Sequence, residues 1–223
     1  MTAIDVVLPL LGLRITAGPL ELRGSTDDLL GPLADLASAG IHAPEAMPFF
    51  VPWSLTPPPA MPLAVARYHW GKRAEFSPAR WTADLAVFWR GELAGSQGFS
   101  TSDYLTTRTG ETGSWLGRRF QGRGIGTAMR QVMCAFAFDH LDAEYVTSGA
   151  FADNPASLAV SRKTGYVGNG WRRVERLGKP ATIRGLLLDP PSLIRYEHPL
   201  VVDGLAPFRR SIGLDADTPA REK

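Results

Sequence analysis

The chain has 223 residues, of which 44% are apolar, and a single cysteine; this length suffices for one sizeable core and is short for two. Lysine and arginine number 24 against 22 acidic residues, and the net charge of +2 provides no overall field that would attract nucleic acid or an anionic membrane. We therefore expect one domain that binds neither nucleic acid nor a membrane. Any anionic ligand must then be held by local groups.

The N-terminal segment predicts a soluble, cytoplasmic protein. Its first ten residues lack the basic start of a secretory signal, and no apolar run approaches the ~18 residues that a membrane span needs.

The first 76 residues predict a strand, a helix, an irregular connection and a second helix. Residues 10–23 favour a strand interrupted at Gly18-Pro19, and an N-cap cluster at Ser25 opens a helix that ends near residue 40. Prolines and aromatic residues fill 41–62, which cannot be regular because proline lacks an amide donor. Apolar spacing over 63–76 predicts the second helix.

The middle of the chain predicts three strands and the clearest helix. Alternating apolar residues over 81–90, a turn at Gly91 and the segments 93–99 and 112–117 indicate an antiparallel meander. Apolar residues at three- and four-residue steps over 125–141 indicate an amphipathic helix.

The last third predicts a strand, a helix and a hairpin, followed by a tail. A short strand at 145–150 precedes a helix that starts at Asn154-Pro155 and ends at Gly165, and residues 167–188 form a hairpin. In the tail, residues 193–202 can pack, whereas the polar end from residue 215 is expected to be frayed.

A glycine-rich turn at residues 115–127 connects a strand end to a helix start. Its glycines remove side chains that would block a phosphate, and the first-turn amides and dipole of the helix attract an anion. Arg119 and Arg123 can add charge at the rim. A P-loop would need a lysine before Thr127, so that motif is excluded. A dinucleotide fingerprint fits the glycine spacing poorly but leaves a nucleotide-binding oxidoreductase as one alternative.

Two segments together resemble one family. Gln121-x-x-Gly124-x-Gly126 resembles the Q/R-x-x-G-x-G/A motif of GNAT superfamily acyl-CoA N-acyltransferases. Asn154-Pro-Ala-Ser157, followed by Gly165-Tyr166, is similar to the ribosomal-protein N-terminal acetyltransferase (RimJ/RimL-like) branch.

The resemblance implies an α+β GNAT fold over residues 1–188, with 189–223 as a C-terminal extension. We expect a twisted, mixed and mostly antiparallel sheet of about seven strands flanked by about four helices. Its fourth and fifth strands would splay apart and hold the pantetheine arm of acyl-CoA between them. The implied cofactor-binding residues are Leu116, Gly117, Arg119, Gln121, Gly122, Arg123, Gly124, Ile125, Gly126, Thr127, Asn154 and Ser157.

Amine acylation by a thioester needs a deprotonated amine, an oxyanion donor and a proton for the thiolate. The resemblance implies Ser157 as the acid, although a hydroxyl at a helix start also serves as a cap. Other GNAT enzymes carry a tyrosine where this chain has Ser161. Glu175 is the implied base, with Glu111 as the second candidate; an ordinary exposed glutamate is the alternative for each.

The aromatic residues of the irregular connection resemble the roof of an acceptor pocket. We predict that Phe50 and Trp53 contact the acceptor and that Tyr104 approaches it from a loop; aromatic packing in the core is the alternative.

The expected reaction is direct transfer of an acetyl group from acyl-CoA to a primary amine, namely a protein N-terminus, a lysine or a small amine. Succinyl-CoA is a second candidate donor, for which Arg108 could supply charge. No metal is expected, because the histidines lack ligand spacing. A non-catalytic acyl-CoA sensor is an alternative function, and a homodimer is a possible assembly.

Overall fold

A computed structural model describes residues 7–215 and places nine strands in one sheet. In chain order the strands are β1 (Arg14–Ala17), β2 (Leu20–Gly24), β3 (Arg80–Trp89), β4 (Glu92–Ser102), β5 (Thr109–Leu116), β6 (Tyr145–Phe151), β7 (Val167–Arg176), β8 (Lys179–Leu188) and β9 (Val201–Asp203). Their order across the sheet is β7-β8-β6-β5-β4-β3-β2-β1-β9. Every pair is antiparallel except β5 and β6.

Helices cover both faces of the sheet. They are α1 (Asp27–Ser38), α2 (Met61–Ala74), the short α3 (Tyr104–Thr107), α4 (Ile125–His140), α5 (Pro155–Thr164) and α6 (Leu205–Ser211). Because side chains alternate along a strand, Ala86 and Phe88 of β3 pack against α1 and α2, whereas Leu85 and Val87 pack in the cluster that contains α4. The expected α+β architecture is confirmed.

The sheet has two strands more than the expected seven. Residues 10–23 form no single strand, because Gly18 adopts φ +56° and the chain turns there into the β1–β2 hairpin. A second addition comes from the tail, where β9 pairs with β1 at the sheet edge. The predicted irregular connection at 41–62 contains two short 3-10 turns, at Trp53–Leu55 and Pro58–Ala60.

The tail packs against the same core as the rest of the sheet. Phe208 and Ile212 are completely buried, and Phe208 meets the Trp81 ring edge-on at 5.6 Å between centroids. The expected frayed end from residue 215 falls almost entirely outside the described residues.

Strands β5 and β6 pair over a short distance and then separate. Their parallel ladder comprises Thr109↔Tyr145, Gly110↔Val146 and Glu111↔Thr147 only. Beyond it, residues 112–116 and 148–151 border a gap, which we call the β5–β6 opening. α4 begins just after β5 ends, so the glycine-rich turn lies at the end of this opening.

No helix within residues 7–215 has both the length and the apolar character that crossing a bilayer would need. The same residues contain no group of three or more His, Cys, Asp or Glu side chains placed to hold a metal ion.

Candidate active site

The turn before α4 presents five consecutive amides without partners. None of the amides of residues 122–126 donates a hydrogen bond within the part of the chain that the structure describes. Gly122 and Gly124 have φ of +71° and +81°, and a Cβ on either would meet open space. Positive φ turns successive N–H groups toward one point, and the start of α4 adds its dipole. Unpartnered amides at a helix start suit an anion such as a phosphate group.

Gln121 anchors this turn. Its amide nitrogen donates to the carbonyls of Ile41, at 2.5 Å, and Leu116, at 2.8 Å. The side chain therefore ties the turn to β5 and to the start of the irregular connection. Its amide hydrogens bond to the protein itself. The conformation of residues 122–126 depends on this tie.

Four of the backbone groups expected to contact the cofactor are already bonded. The Gly117 amide donates to Ala94 O at 2.9 Å, its carbonyl accepts from Phe120, and the Thr127 amide donates to Gly124 O at 3.0 Å. Leu116 contributes its carbonyl to Gln121. The amides that remain without a partner among the described residues at the start of α4 are those of residues 122–126.

The two arginines of the rim differ in their contacts. Arg119 forms an ion pair with Glu92 at 2.7 Å, with both side chains exposed. Arg123 is exposed and takes part in no ion pair within residues 7–215. Of the two, only Arg123 is free to move toward an anion at the turn.

The start of α5 lies on the other side of the opening. Asn154 caps the helix by accepting from the Ser157 amide at 3.1 Å. The Ser157 hydroxyl is half-buried and has no partner among the described residues. One turn later, Val160 lies 3.5 Å from the position of a Cβ on Gly126, so α5 packs beside the anion-binding turn.

Aromatic residues cover the opposite face of the sheet at the opening. Phe50 stacks on Phe151 of β6 with centroids 5.2 Å apart, and Trp53 stacks on Trp115 of β5 at 5.6 Å. Phe50 is 46% exposed. The connection at 41–62 therefore lies across both strands that border the opening, and the contact of Phe50 and Trp53 with an acceptor stays a prediction.

Glu111 stands on this same face, at the last pair before β5 and β6 separate. A Cβ on Gly149 of β6 would lie 3.5 Å from the Glu111 carboxylate and 3.8 Å from the Phe50 ring. The carboxylate is exposed and has no hydrogen-bonded partner within the described residues. It borders both a cleft lined by Trp171 and Arg172 and a cleft that runs along β4 to Arg80.

A family comparison identifies the fold to which this geometry belongs. Residues 20–167 match the family model described as an acetyltransferase (GNAT) domain. The chain belongs to the GNAT acetyltransferase family. The glycine-rich turn, the β5–β6 opening and the start of α5 all lie within the matched residues.

One curated relative of the chain carries a ribosomal name. A Bacillus subtilis protein, YdaF, whose name assigns it provisionally to the ribosomal N-acetyltransferases, is 29% identical over 90 residues, which are 40% of this chain and 49% of that protein. The chain thus spans about half the length of this curated relative.

Solved structures share the GNAT fold. Mycobacterium smegmatis RimJ, solved with a CoA disulfide, has a TM-score of 0.65 at 17% identity, covering 82% of this chain and 88% of that one. RimL, a ribosomal L7/L12 alpha-N-protein acetyltransferase solved with coenzyme A, has a TM-score of 0.64 at 20% identity, covering 78% and 95%.

The structure does not bring Glu175 to this GNAT site. Arg172 lies over the Phe50 ring, 5.2 Å from its centroid, and alternation along β7 therefore directs Glu175 to the opposite face. Its carboxylate accepts a hydrogen bond from the Gly178 amide and closes the β7–β8 turn. Glu175 therefore lies away from the face that carries Phe50, and Glu111 is the candidate glutamate that lies on it.

Tyr104 is also absent from the acceptor face. It begins α3, is completely buried against Trp81 and Phe99, and its hydroxyl donates to Leu141 O at 3.0 Å. Burial raises the pKa of this phenol. Tyr104 is a core residue, and the aromatic-packing alternative applies to it.

Asp84 is a polar group near the site that the sequence did not indicate. It accepts from Ser96 Oγ at 2.6 Å and approaches to 3.4 Å of the Cβ position of Gly98. Gly98 pairs with Gly113 of β5, where a Cβ would meet nothing within 4 Å. Asp84 and Glu111 therefore border a stretch of sheet surface that no side chain of Gly98 or Gly113 covers. Their proximity follows from the strand pairing and could not be read from the sequence.

Cys134 has the properties of a core thiol. It is completely buried, and this burial raises its pKa to about 11. A neutral, inaccessible thiol cannot act as an acyl-accepting nucleophile.

Proposed function

We propose that this chain transfers an acetyl group from acetyl-CoA to a primary amine by direct attack on the thioester. The observation that carries the proposal is the set of five unpaired amides at residues 122–126, located at the end of the β5–β6 opening. These amides suit the pyrophosphate of coenzyme A, and the opening suits its pantetheine arm. A succinyl group would need a cationic partner for its carboxylate, and the candidate is Arg108. Arg108 instead lies over the Tyr104 ring, near the closed end of the β5–β6 ladder. Acetyl is therefore preferred to succinyl.

The proposed chemistry requires one proton acceptor and one proton donor. Glu111 would take a proton from the amine as its nitrogen attacks the thioester carbonyl, and the C–S bond then breaks. Ser157, which is half-buried, would donate its hydroxyl proton to the departing thiolate and take one back from solvent, while Glu111 releases its proton to solvent; Ser161, where other GNAT enzymes carry tyrosine, is buried. No covalent enzyme intermediate is needed.

The proposed acceptor is a protein N-terminus. A terminal amine has a pKa of about 7.7–8.0, against about 10.4 for lysine, so a far larger fraction of it is already neutral near pH 7 and it needs less help from a base. The RimL name, which specifies an alpha-N-protein acetyltransferase, supports the same class. Lysine and small amines are the competing outcomes of an acceptor screen.

The test is a thermal-shift panel with acetyl-CoA, succinyl-CoA, free CoA, NAD and ATP. A ligand that binds only the folded chain stabilises it increasingly as its concentration exceeds its Kd. We expect the CoA compounds to raise the melting temperature, and acetyl-CoA to be consumed when a peptide with a free N-terminal amine is added. Stabilisation by NAD alone would contradict the proposal and favour the oxidoreductase.

A pair of variants locates the binding. Gly124→Glu places a carboxylate among the five amides, whereas Gly124→Gln has the same size and the same strain at φ +81° without charge. We expect both variants to lose stability equally and both to bind CoA more weakly for steric reasons, with Gly124→Glu losing far more of the response because its charge also repels the pyrophosphate. If binding persists without turnover of any amine, the chain is an acyl-CoA sensor.

A further inference from the structure

A buried arginine lies behind the β5–β6 opening. Arg130, in the second turn of α4, is only 4% exposed. Its terminal nitrogens donate to Ser148 Oγ at 3.1 Å and to Ser114 Oγ at 2.9 Å. Ser114 belongs to β5 and Ser148 to β6, so one side chain joins the two strands where they are no longer paired.

The charge of this guanidinium is not compensated nearby. None of the ion pairs within residues 7–215 includes Arg130, and its Nε has no hydrogen-bond partner. Its neighbours Cys134 and Tyr166 are neutral, because burial raises the pKa of both groups. Burying an unpaired cation destabilises a fold, and stability alone does not account for this residue.

The surrounding hydrogen bonds make the arginine part of one network. Ser148 Oγ donates to Thr112 O at 3.3 Å, and Thr112 Oγ1 meets the Tyr166 hydroxyl at 2.8 Å. The separation of β5 from β6 at Ser114 is thus set by contacts to a rigid, planar group. A gap between strands without such a group would be free to narrow into further ladder pairs.

We propose that Arg130 is a positioning residue that fixes the width of the β5–β6 opening through Ser114 and Ser148. It thereby holds the pantetheine arm and thioester of acyl-CoA in place. The inference rests on the proposed function, because it assumes that the opening receives this arm. Arg130 acts through the two serines and is not itself required to touch the reacting atoms.

This role predicts that only one half of coenzyme A depends on Arg130 for its binding. The nucleotide half would be held by the amides of residues 122–126, none of which contacts Arg130. The pantetheine half depends on the opening. A lysine would keep the charge at position 130 but lacks the planar fork that reaches two serines at once, so charge alone should not restore function.

The experiment compares Arg130→Lys and Arg130→Met with Gln131→Met. Gln131 is the matched control, because it is the next residue of α4, is 7% exposed and donates to Lys163 O on another helix. Calorimetry would measure the Kd of CoA and of 3′-phospho-ADP, its nucleotide half. Steady-state kinetics would add kcat and the KM for acetyl-CoA.

We expect both Arg130 variants to bind CoA about tenfold more weakly, the effect of losing hydrogen bonds to a charged group, with a parallel rise in KM. Binding of 3′-phospho-ADP should not change, and Gln131→Met should alter neither ligand. If the Arg130 variants do not fold, the double variant Ser114→Ala, Ser148→Ala should show the same selective loss.

Two results would overturn the inference alone: equal weakening of both ligands, or wild-type affinity for both in the Arg130 and serine variants. Failure of the wild type to bind either ligand would instead remove the proposed function, and this inference with it.

Discussion

At the scale of single residues, the proposed reaction depends on where one carboxylate faces. Glu111 and Glu175 both belong to strands near the opening, but only Glu111 lies beside Phe50 and Gly149. Glu175 is occupied by the Gly178 amide. The two glutamates therefore form a natural pair of test and control.

We predict that Glu111→Gln lowers kcat for an N-terminal peptide by roughly 10²–10⁴-fold at pH 7, the range for loss of a general base. The deficit should shrink toward pH 9, because more of the amine is then already deprotonated. Rates with acetyl-CoA and a peptide with a free N-terminal amine between pH 6 and 9 provide the measurement.

Glu175→Gln should retain wild-type kinetics over the same range. Loss of activity in this variant, together with an active Glu111→Gln, would reverse the assignment of the base. Wild-type activity in both variants would mean that water alone accepts the proton.

At the scale of elements, sequence periodicity located most helices and strands, and it failed where geometry breaks the period. The apolar stripe of α4 and the glycines before it were readable because both follow from local backbone rules. On β7, a register shift between Gly168 and Trp171 reverses the face on which later residues lie. The glycines of Gly168-Asn169-Gly170, of which Gly170 has φ +80°, are a local signal of such a bulge. The number of residues that the bulge adds, and therefore the face on which Glu175 lies, depends on the pairing with β8 and is not given by those glycines.

Two polar positions could have been read from the sequence. Arg130 and Gln131 interrupt an otherwise apolar helix, and a charged residue on such a helix needs an explanation. Their partners, however, come from β5, β6 and α5. Asp84 was unreadable for a similar reason, since its contact across β4 exists only once the strands are paired.

The packing of α2 on the sheet should make the stability of the protein depend on pH. His69 of α2 is buried, and this burial lowers its pKa below the ordinary 6.5, with Asp84 and Asp27 opposing the shift and Arg73 adding to it. The unfolded chain therefore binds a proton more readily than the folded one, and stability rises with pH. The contribution is complete above the unfolded pKa and is lost as the pH falls below about 6.5.

We predict that the free energy of unfolding decreases between pH 7.5 and 5.5 and that His69→Gln flattens this dependence. Urea unfolding at four pH values measures it. The carboxylates of Asp27, Asp139 and Asp153, whose pKa values are lowered by hydrogen bonds from arginines, lose their contribution only below about pH 4. A wild-type slope that persists in His69→Gln would assign the effect to another group.

At the scale of the whole molecule, the chain after Leu188 completes the fold from the far edge of the sheet. β9 has three residues and α6 has seven, which are too short for a reliable periodic signal. Yet β9 extends the sheet beyond β1, and Phe208 fills a space bordered by the Trp81 ring. The family match ends at residue 167, so this closure is a feature of the chain outside the matched domain.

Phe208→Ala should therefore destabilise the whole protein. Truncation of a fully buried phenylalanine costs about 3–5 kcal/mol, and the loss should appear in a single cooperative transition because Phe208 shares the core of β3 and α4. The exposed neighbour Arg210→Ala is the control. The KM for acetyl-CoA, measured below the melting temperature, should not change, since four strands separate β9 from β5. A loss below about 1 kcal/mol, the average for any substitution, would instead mean that residues 190–215 are an appendage and that the sheet is stable without its ninth strand.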